Sequence, residues 1–121
     1  MVRPKRYIEQ ASETPKNQED RIANRLGGKR VRGSGASMYS KGDVRDVSLS
    51  GNDFLVECKQ TDKASISIKW DWLRKISKEA MAVGKNPALT IEIKGGKFDP
   101  NTDRDWVLLP VRIIEQIKER G

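Results

Sequence analysis

The 121-residue chain predicts an α/β fold, a mixed central β-sheet of about five strands flanked by helices. Three observations carry that expectation. "DVRDVSLS" and "DFLVECKQ" read as adjacent strands joined by a turn at Ser50-Gly51-Asn52-Asp53. Between Ser65 and Val83, Ile68, Trp72, Ile76, Ala80 and Val83 recur at three-to-four spacing, the signature of a helix with one apolar face. "ALTIEI" then alternates Leu89, Ile91 and Ile93 with polar residues, as a strand does.

The remaining elements follow in order. Residues 1–16 are polar, basic and carry two prolines, so they are expected to be a flexible N-terminal arm, leaving 17–121 as a single domain. "NQEDRIANRL" predicts a short helix stopped by Gly27-Gly28. "KRVRGSGAS" predicts a short basic strand entering a Gly/Ser loop. After "ALTIEI", the turn-rich "KGGKFDPNTDRD" leads to a last strand, "WVLLP", and a terminal helix from about Pro110. The order is α-β-β-β-α-β-β-α, without internal repeats. Trp72 and Trp106 are expected in the core, and Trp70, off the apolar stripe, facing a partner.

Composition narrows the chemistry. The chain has 24 Lys and Arg against 17 Asp and Glu, a net charge of +7, which favours a polyanionic partner, most commonly nucleic acid. No apolar run is long enough for a membrane span, and no secretory signal is visible, so a cytoplasmic location is expected. The absence of histidine excludes Ser-His-Asp and Cys-His catalysis and histidine-ligated zinc. A lone cysteine, Cys58, excludes an internal disulfide and a paired-cysteine zinc site, and is expected to pack in the core. What remains is carboxylates, lysines and a hard metal such as Mg²⁺ or Mn²⁺.

In "FLVECKQT", Glu57 and Lys59 share one face of a strand. The same spacing recurs at Glu92-Ile93-Lys94, where alternation explains it as a solvated face. Glu57 differs because "KGD" places Asp43 at the start of the neighbouring strand, and a hairpin would bring the two carboxylates together. They would repel unless they shared a divalent cation. Lys59 would then hold the attacking water or the scissile phosphate. Asp46 is a rival ligand, but three residues along it would face the other side. Glu19 falls on the apolar face of the first helix, either as an acid favoured by the helix N-terminus or as a carboxylate reaching the same metal. "GSGAS" offers backbone amides and the hydroxyls of Ser34 and Ser37 to a phosphate, flanked by Lys29, Arg30, Arg32 and Lys41. The same residues fit a plain flexible turn equally well. The loop is not a Walker motif, so no nucleotide cofactor is implied.

Taken as an ordered set, Glu19 with Arg21, "VRGSGAS", "KGDV", "LVECKQT", "IKWDWLRKISKEA" and "PALTIEI" resemble the PD-(D/E)XK nuclease superfamily. Within it they are most similar to the archaeal-type Holliday junction resolvases, including phage-encoded versions, over roughly residues 17–93. The resemblance implies a restriction-endonuclease-like αβββαβ core. It also implies a Mg²⁺-dependent endodeoxyribonuclease, with Mn²⁺ as substitute, that nicks four-way DNA junctions symmetrically as a homodimer. For a phage-encoded member the location would be the host cytoplasm. Asp43 and Glu57 would be metal ligands, Lys59 the catalytic lysine and Glu19 the helix carboxylate completing the site. Arg21, Arg32 and Ser34 would contact the DNA backbone, with Gln60 in support. The family's usual proline before the first acid is here Gly42. The alternatives are a nuclease of the same fold acting on flaps, nicks or duplex, and a non-catalytic basic DNA-binding protein.

Overall fold

The computed structural model describes residues 15–31 and 42–120 of the chain. The expected arm, apart from its last two residues, and most of the Gly/Ser loop, with Arg32, Ser34, Ser37 and Lys41, lie outside those residues. The described elements are α1 (Pro15–Leu26), β1 (Lys29–Arg30), β2 (Val44–Leu49), β3 (Asn52–Thr61), α2 (Trp70–Ala82), β4 (Asn86–Ile93), β5 (Asp105–Leu108) and α3 (Val111–Arg120). This is the order expected from sequence. The five strands form one sheet in the order β1-β2-β3-β4-β5. Among the described strands only β3 and β4 run parallel, with α2 as their crossover, so the sheet is mixed.

The sheet is covered on both sides. Ile22 and Ala23 of α1 and Ile113 of α3 pack with Val44, Val47, Phe54, Val56 and Ala88 on one face. Ile76 and Ala80 of α2 pack with Leu55 on the other. Thus β3 sends Phe54 and Val56 to the first face and Leu55 to the second, which is why its middle is apolar without a break.

Four expectations change. First, α1 begins at Pro15 rather than at residue 17, because proline is well suited to the first helical position. Second, α2 begins at Trp70 rather than Ser65, because Lys69 is extended (φ −91°, ψ 135°) and the β-branched Ile66 and Ile68 precede it. Third, Trp106 is not core: it is 58 % exposed on the edge strand β5, its indole N–H donating to the Asp103 carbonyl at 2.8 Å. Fourth, β4 is not solvated on its polar face. Flanked by β3 and β5 and covered by helices, it buries Thr90 and Glu92 as well as Leu89 and Ile91, and Glu92 is 0 % exposed.

Glu92 faces a cation, although neither of its buried oxygens has a hydrogen bond of good geometry among the described residues. Arg21 of α1 places Nη2 3.2 Å from Glu92 Oε1 and 2.7 Å from Asp105 Oδ1, and its Nε donates to Asp105 Oδ2 at 3.2 Å. Arg25 adds a contact to Asp105 at 2.8 Å. The cluster ties α1 to β4 and β5, and it sits on the face of the sheet opposite Leu55.

Candidate active site

The site begins with the β2–β3 hairpin. Its turn, Ser50-Gly51, has positive φ at both residues (51° and 79°), the two-residue turn whose twist matches paired strands. The register runs from Leu49↔Asn52 through Val47↔Phe54 to Val44↔Val56, so Arg45 and Asp46 together oppose Leu55. This bulge, with Asp46 at φ 60°, turns both Val44 and Val47 into the core. Asp46 is left at the surface, paired with Arg45 at 2.7 Å.

Beyond Val44 the two strands part, and a side chain takes over from the ladder. The Asp43 N–H donates to the Val56 carbonyl at 2.8 Å, and Asp43 Oδ2 accepts the Cys58 N–H at 2.7 Å. The buried Asp43 carboxylate is therefore fixed directly beside Glu57. Gly42, just before it, has φ +74°, and a Cβ there would lie 2.6 Å from Leu55 Cγ. Proline, locked near −65°, is incompatible with this backbone. Glycine at position 42 meets both demands, the positive φ and the close approach to Leu55.

Lys59 Nζ lies 3.6 Å from Glu57 Oε2 and 4.6 Å from the centre of the Trp72 ring. Trp72 is thus half-buried against the lysine rather than part of the apolar core. Lys75 of α2 approaches the same Glu57 oxygen at 3.9 Å and Glu79 Oε2 at 3.9 Å. Glu79 Oε1 in turn accepts the Gly42 N–H at 3.0 Å. On the other side, Gln18 of α1 donates to the Lys59 carbonyl at 2.7 Å, anchoring the helix that carries Glu19.

The electrostatics report crowding of negative charge. Burial, then the Asp43 carboxylate, pushes Glu19 up to about 7 against the pull of Arg30, whose Nε is 3.5 Å away. Burial and Asp43 also raise the Glu57 carboxyl, with Lys75 and Lys59 opposing. Burial pushes the Cys58 thiol up to about 12, so it is inert at neutral pH, as a packed strand cysteine should be.

Asp43, Glu57, Lys59 and Glu19 are therefore brought to one end of the sheet. Among the described residues no three Asp, Glu or Cys side chains form a ready chelating set. The donors closest to that role are the Asp43 and Glu57 carboxylates. Hard carboxylate oxygens set close together in this way are of the donor type that a divalent cation such as Mg²⁺ takes.

The other nominated residues are dispersed. Lys29 is exposed on β1; Arg30 is drawn to Glu19 and to Asp20 at 3.7 Å; Arg21 is held by Glu92 and Asp105. Gln60, in register with Glu92, lies on the face away from Lys59. Gln18, Lys75 and Glu79 were not singled out from sequence. Gln18 stands four residues before buried Ile22, and Glu79 three after buried Ile76, so polar residues bordering an apolar stripe were the available signal.

The architecture is that of an open five-stranded mixed sheet between helices, carrying carboxylates and lysines where two strands diverge. No family model matches the sequence, and no curated protein matches it. Among solved structures, the chain is similar in fold to Archaeoglobus fulgidus Hjc, a Holliday junction resolvase from an archaeal hyperthermophile. The TM-score is 0.53 at 17 % identity, over 77 % of this chain and 85 % of that one. The shared fold agrees with the architecture that the sequence resemblance implies.

Proposed function

We propose that this chain is a metal-dependent, structure-specific DNA endonuclease that resolves four-way junctions by hydrolysing phosphodiester bonds. The observation that carries this reading is the Asp43–Glu57 carboxylate pair with Lys59 beside it, at the end of a sheet whose fold a solved resolvase shares. Asp43 and Glu57 would hold Mg²⁺, with Mn²⁺ as substitute. Such an ion supplies an activated water and offsets charge on the phosphate. The rest falls to the chain itself. Lys59, held over Trp72, presents its ammonium to a phosphate oxygen where negative charge builds. Gln18 and the Arg21 cluster fix α1, so that Glu19 stays against the pair. Lys29, with Arg32, Ser34, Ser37 and Lys41, would meet the DNA backbone. Cutting two opposed strands requires two sites at fixed separation, so the working form is a homodimer.

The test uses purified protein, Mg²⁺, an end-labelled four-way junction and a linear duplex of matched sequence. Paired symmetric nicks in the junction, with the duplex intact, are expected. Cutting of both, or a preference for flaps or nicks, would replace the substrate and keep the hydrolytic site. Junction binding without cutting in Mg²⁺ or Mn²⁺ would make the chain a DNA-binding protein.

Trp72 gives a finer prediction. A partly buried cation–π contact is worth about 0.5–2 kcal/mol. Trp72→Ala should therefore lower the single-turnover cleavage rate about 2- to 30-fold with little change in junction affinity, while Trp72→Phe keeps most of it. Equal rates for the two variants would remove the ring from any role in holding Lys59.

A further inference from the structure

We propose that Lys75 and Glu79 of α2 belong to the working site, Lys75 as a phosphate-binding cation and Glu79 as the positioning residue for Asp43. This rests on the nuclease reading above. It assigns α2 a part that the strand residues alone do not suggest.

Three observations converge on this helix. Lys75 and Glu79 lie one turn apart, 3.9 Å from each other, and both face the strand carboxylates. Lys75 shares Glu57 Oε2 with Lys59, at 3.9 Å against 3.6 Å, yet its side chain is 63 % exposed where that of Lys59 is 29 % exposed. The two lysines therefore divide the space around one carboxylate. Lys59 lies inside against Trp72, and Lys75 stands at the solvent side, where an incoming strand would pass. An exposed ammonium at that position is suited to a phosphate as a point charge.

Glu79 is different in kind, since its side chain is only 12 % exposed. One oxygen faces Lys75, and the other accepts the Gly42 N–H. A proline at position 42 would have no N–H to give. The glycine thus provides both the positive φ and the donor that Glu79 takes up, and the next residue is Asp43. The Asp43 carboxylate is held from two sides, by Cys58 N–H directly and by Glu79 through the Gly42 backbone. Glu79 also adds to the negative charge felt by Glu57, while Lys75 opposes it, so the pair brings the site little net charge.

The experiment compares wild type, Lys75→Gln, Glu79→Gln and Glu79→Ala, with Glu57→Ala as a reference that lacks a strand ligand. Junction binding is measured in EDTA against salt concentration, and Mn²⁺ binding is measured calorimetrically without DNA. Lys75→Gln is expected to reduce the slope of log affinity against log salt by about 0.9, the loss of one phosphate contact. It should leave Mn²⁺ binding no weaker. Glu79→Ala is expected to weaken Mn²⁺ binding about 10- to 100-fold without moving the salt slope. Glu79→Gln keeps an oxygen acceptor for Gly42 and should recover most of that loss, which a general packing defect would not do. An unchanged slope in Lys75→Gln overturns the lysine's role. Equal Mn²⁺ binding in Glu79→Ala and wild type, or equal loss in Glu79→Ala and Glu79→Gln, overturns the glutamate's. In both cases wild-type cleavage and the Glu57→Ala defect leave the nuclease reading intact. A wild-type chain that binds neither Mn²⁺ nor the junction overturns both together.

Discussion

Glu57→Ala is expected to reduce junction cleavage by about 10²–10³-fold or more while leaving junction affinity within about twofold and thermal stability no lower than wild type. The combination is diagnostic. Loss of a ligand or charge that acts only on the reacting phosphate removes rate, not ground-state binding. The stability half follows from the crowding at this end of the sheet. Burial and Asp43 hold the Glu57 carboxyl above its ordinary value of 4.5, so the folded chain binds that proton more tightly than the unfolded one. Stability from this group is therefore greatest at low pH and is lost as pH rises through its native titration. Wherever Glu57 is ionised it opposes folding, and removing it relieves that cost. Melting curves in EDTA at pH 7 and pH 5 test the sign. The wild type should gain on Glu57→Ala as pH falls, and a mutant that melts well below wild type at pH 7 would identify Glu57 as a structural ion-pair residue.

Arg21→Ala is expected to destabilise the fold by about 3–5 kcal/mol. The substitution leaves the Glu92 carboxylate, 0 % exposed, without the guanidinium 3.2 Å away, and takes two hydrogen bonds from Asp105. An uncompensated buried charge is among the costliest single changes, and small domains have only about 5–15 kcal/mol in total. Arg25 still pairs with Asp105 and moderates the loss there, but no such contact to Glu92 is made by it. The double change Arg21→Met with Glu92→Leu should restore most of the stability, because an apolar pair of similar volume needs no counter-charge. Urea unfolding reads both outcomes. A loss under about 1 kcal/mol for Arg21→Ala, the range of surface pairs, would show that Glu92 is hydrated in solution.

The element order was legible because it depends on local information. The Ser50-Gly51 turn, the alternation of Phe54, Val56 and Cys58, and the three-to-four spacing of Trp72, Ile76 and Ala80 each act within a few residues. The hairpin follows from them, and with it the approach of Asp43 to Glu57, since a two-residue turn fixes which residues oppose each other. The bulge at Arg45–Asp46 was not legible. Simple alternation cannot place both Val44 and Val47 in the core, and the extra residue does so at the cost of a positive φ at Asp46.

Glu92 and Glu57 show where local reading stops. Both occur as Glu-x-Lys on an alternating strand, and nothing within five residues separates them. Alternation states which side chains share a face, but not whether that face is covered. Coverage depends on distant segments: α1 brings Arg21 over β4 and turns a seemingly solvated glutamate into a buried ion pair, while β5, with no strand beyond it among the described residues, leaves Trp106 at the surface. By itself the sequence determined the elements, their order and the chemical types available, namely carboxylates, lysines and no histidine. Only the tertiary structure decided that Glu92 is buried, which lysine stands inside and which at the rim, and that Glu79 reaches Gly42 across 37 residues of chain. Through-space electrostatics and desolvation act between groups that the chain order keeps far apart, and they take effect only once the layers have packed.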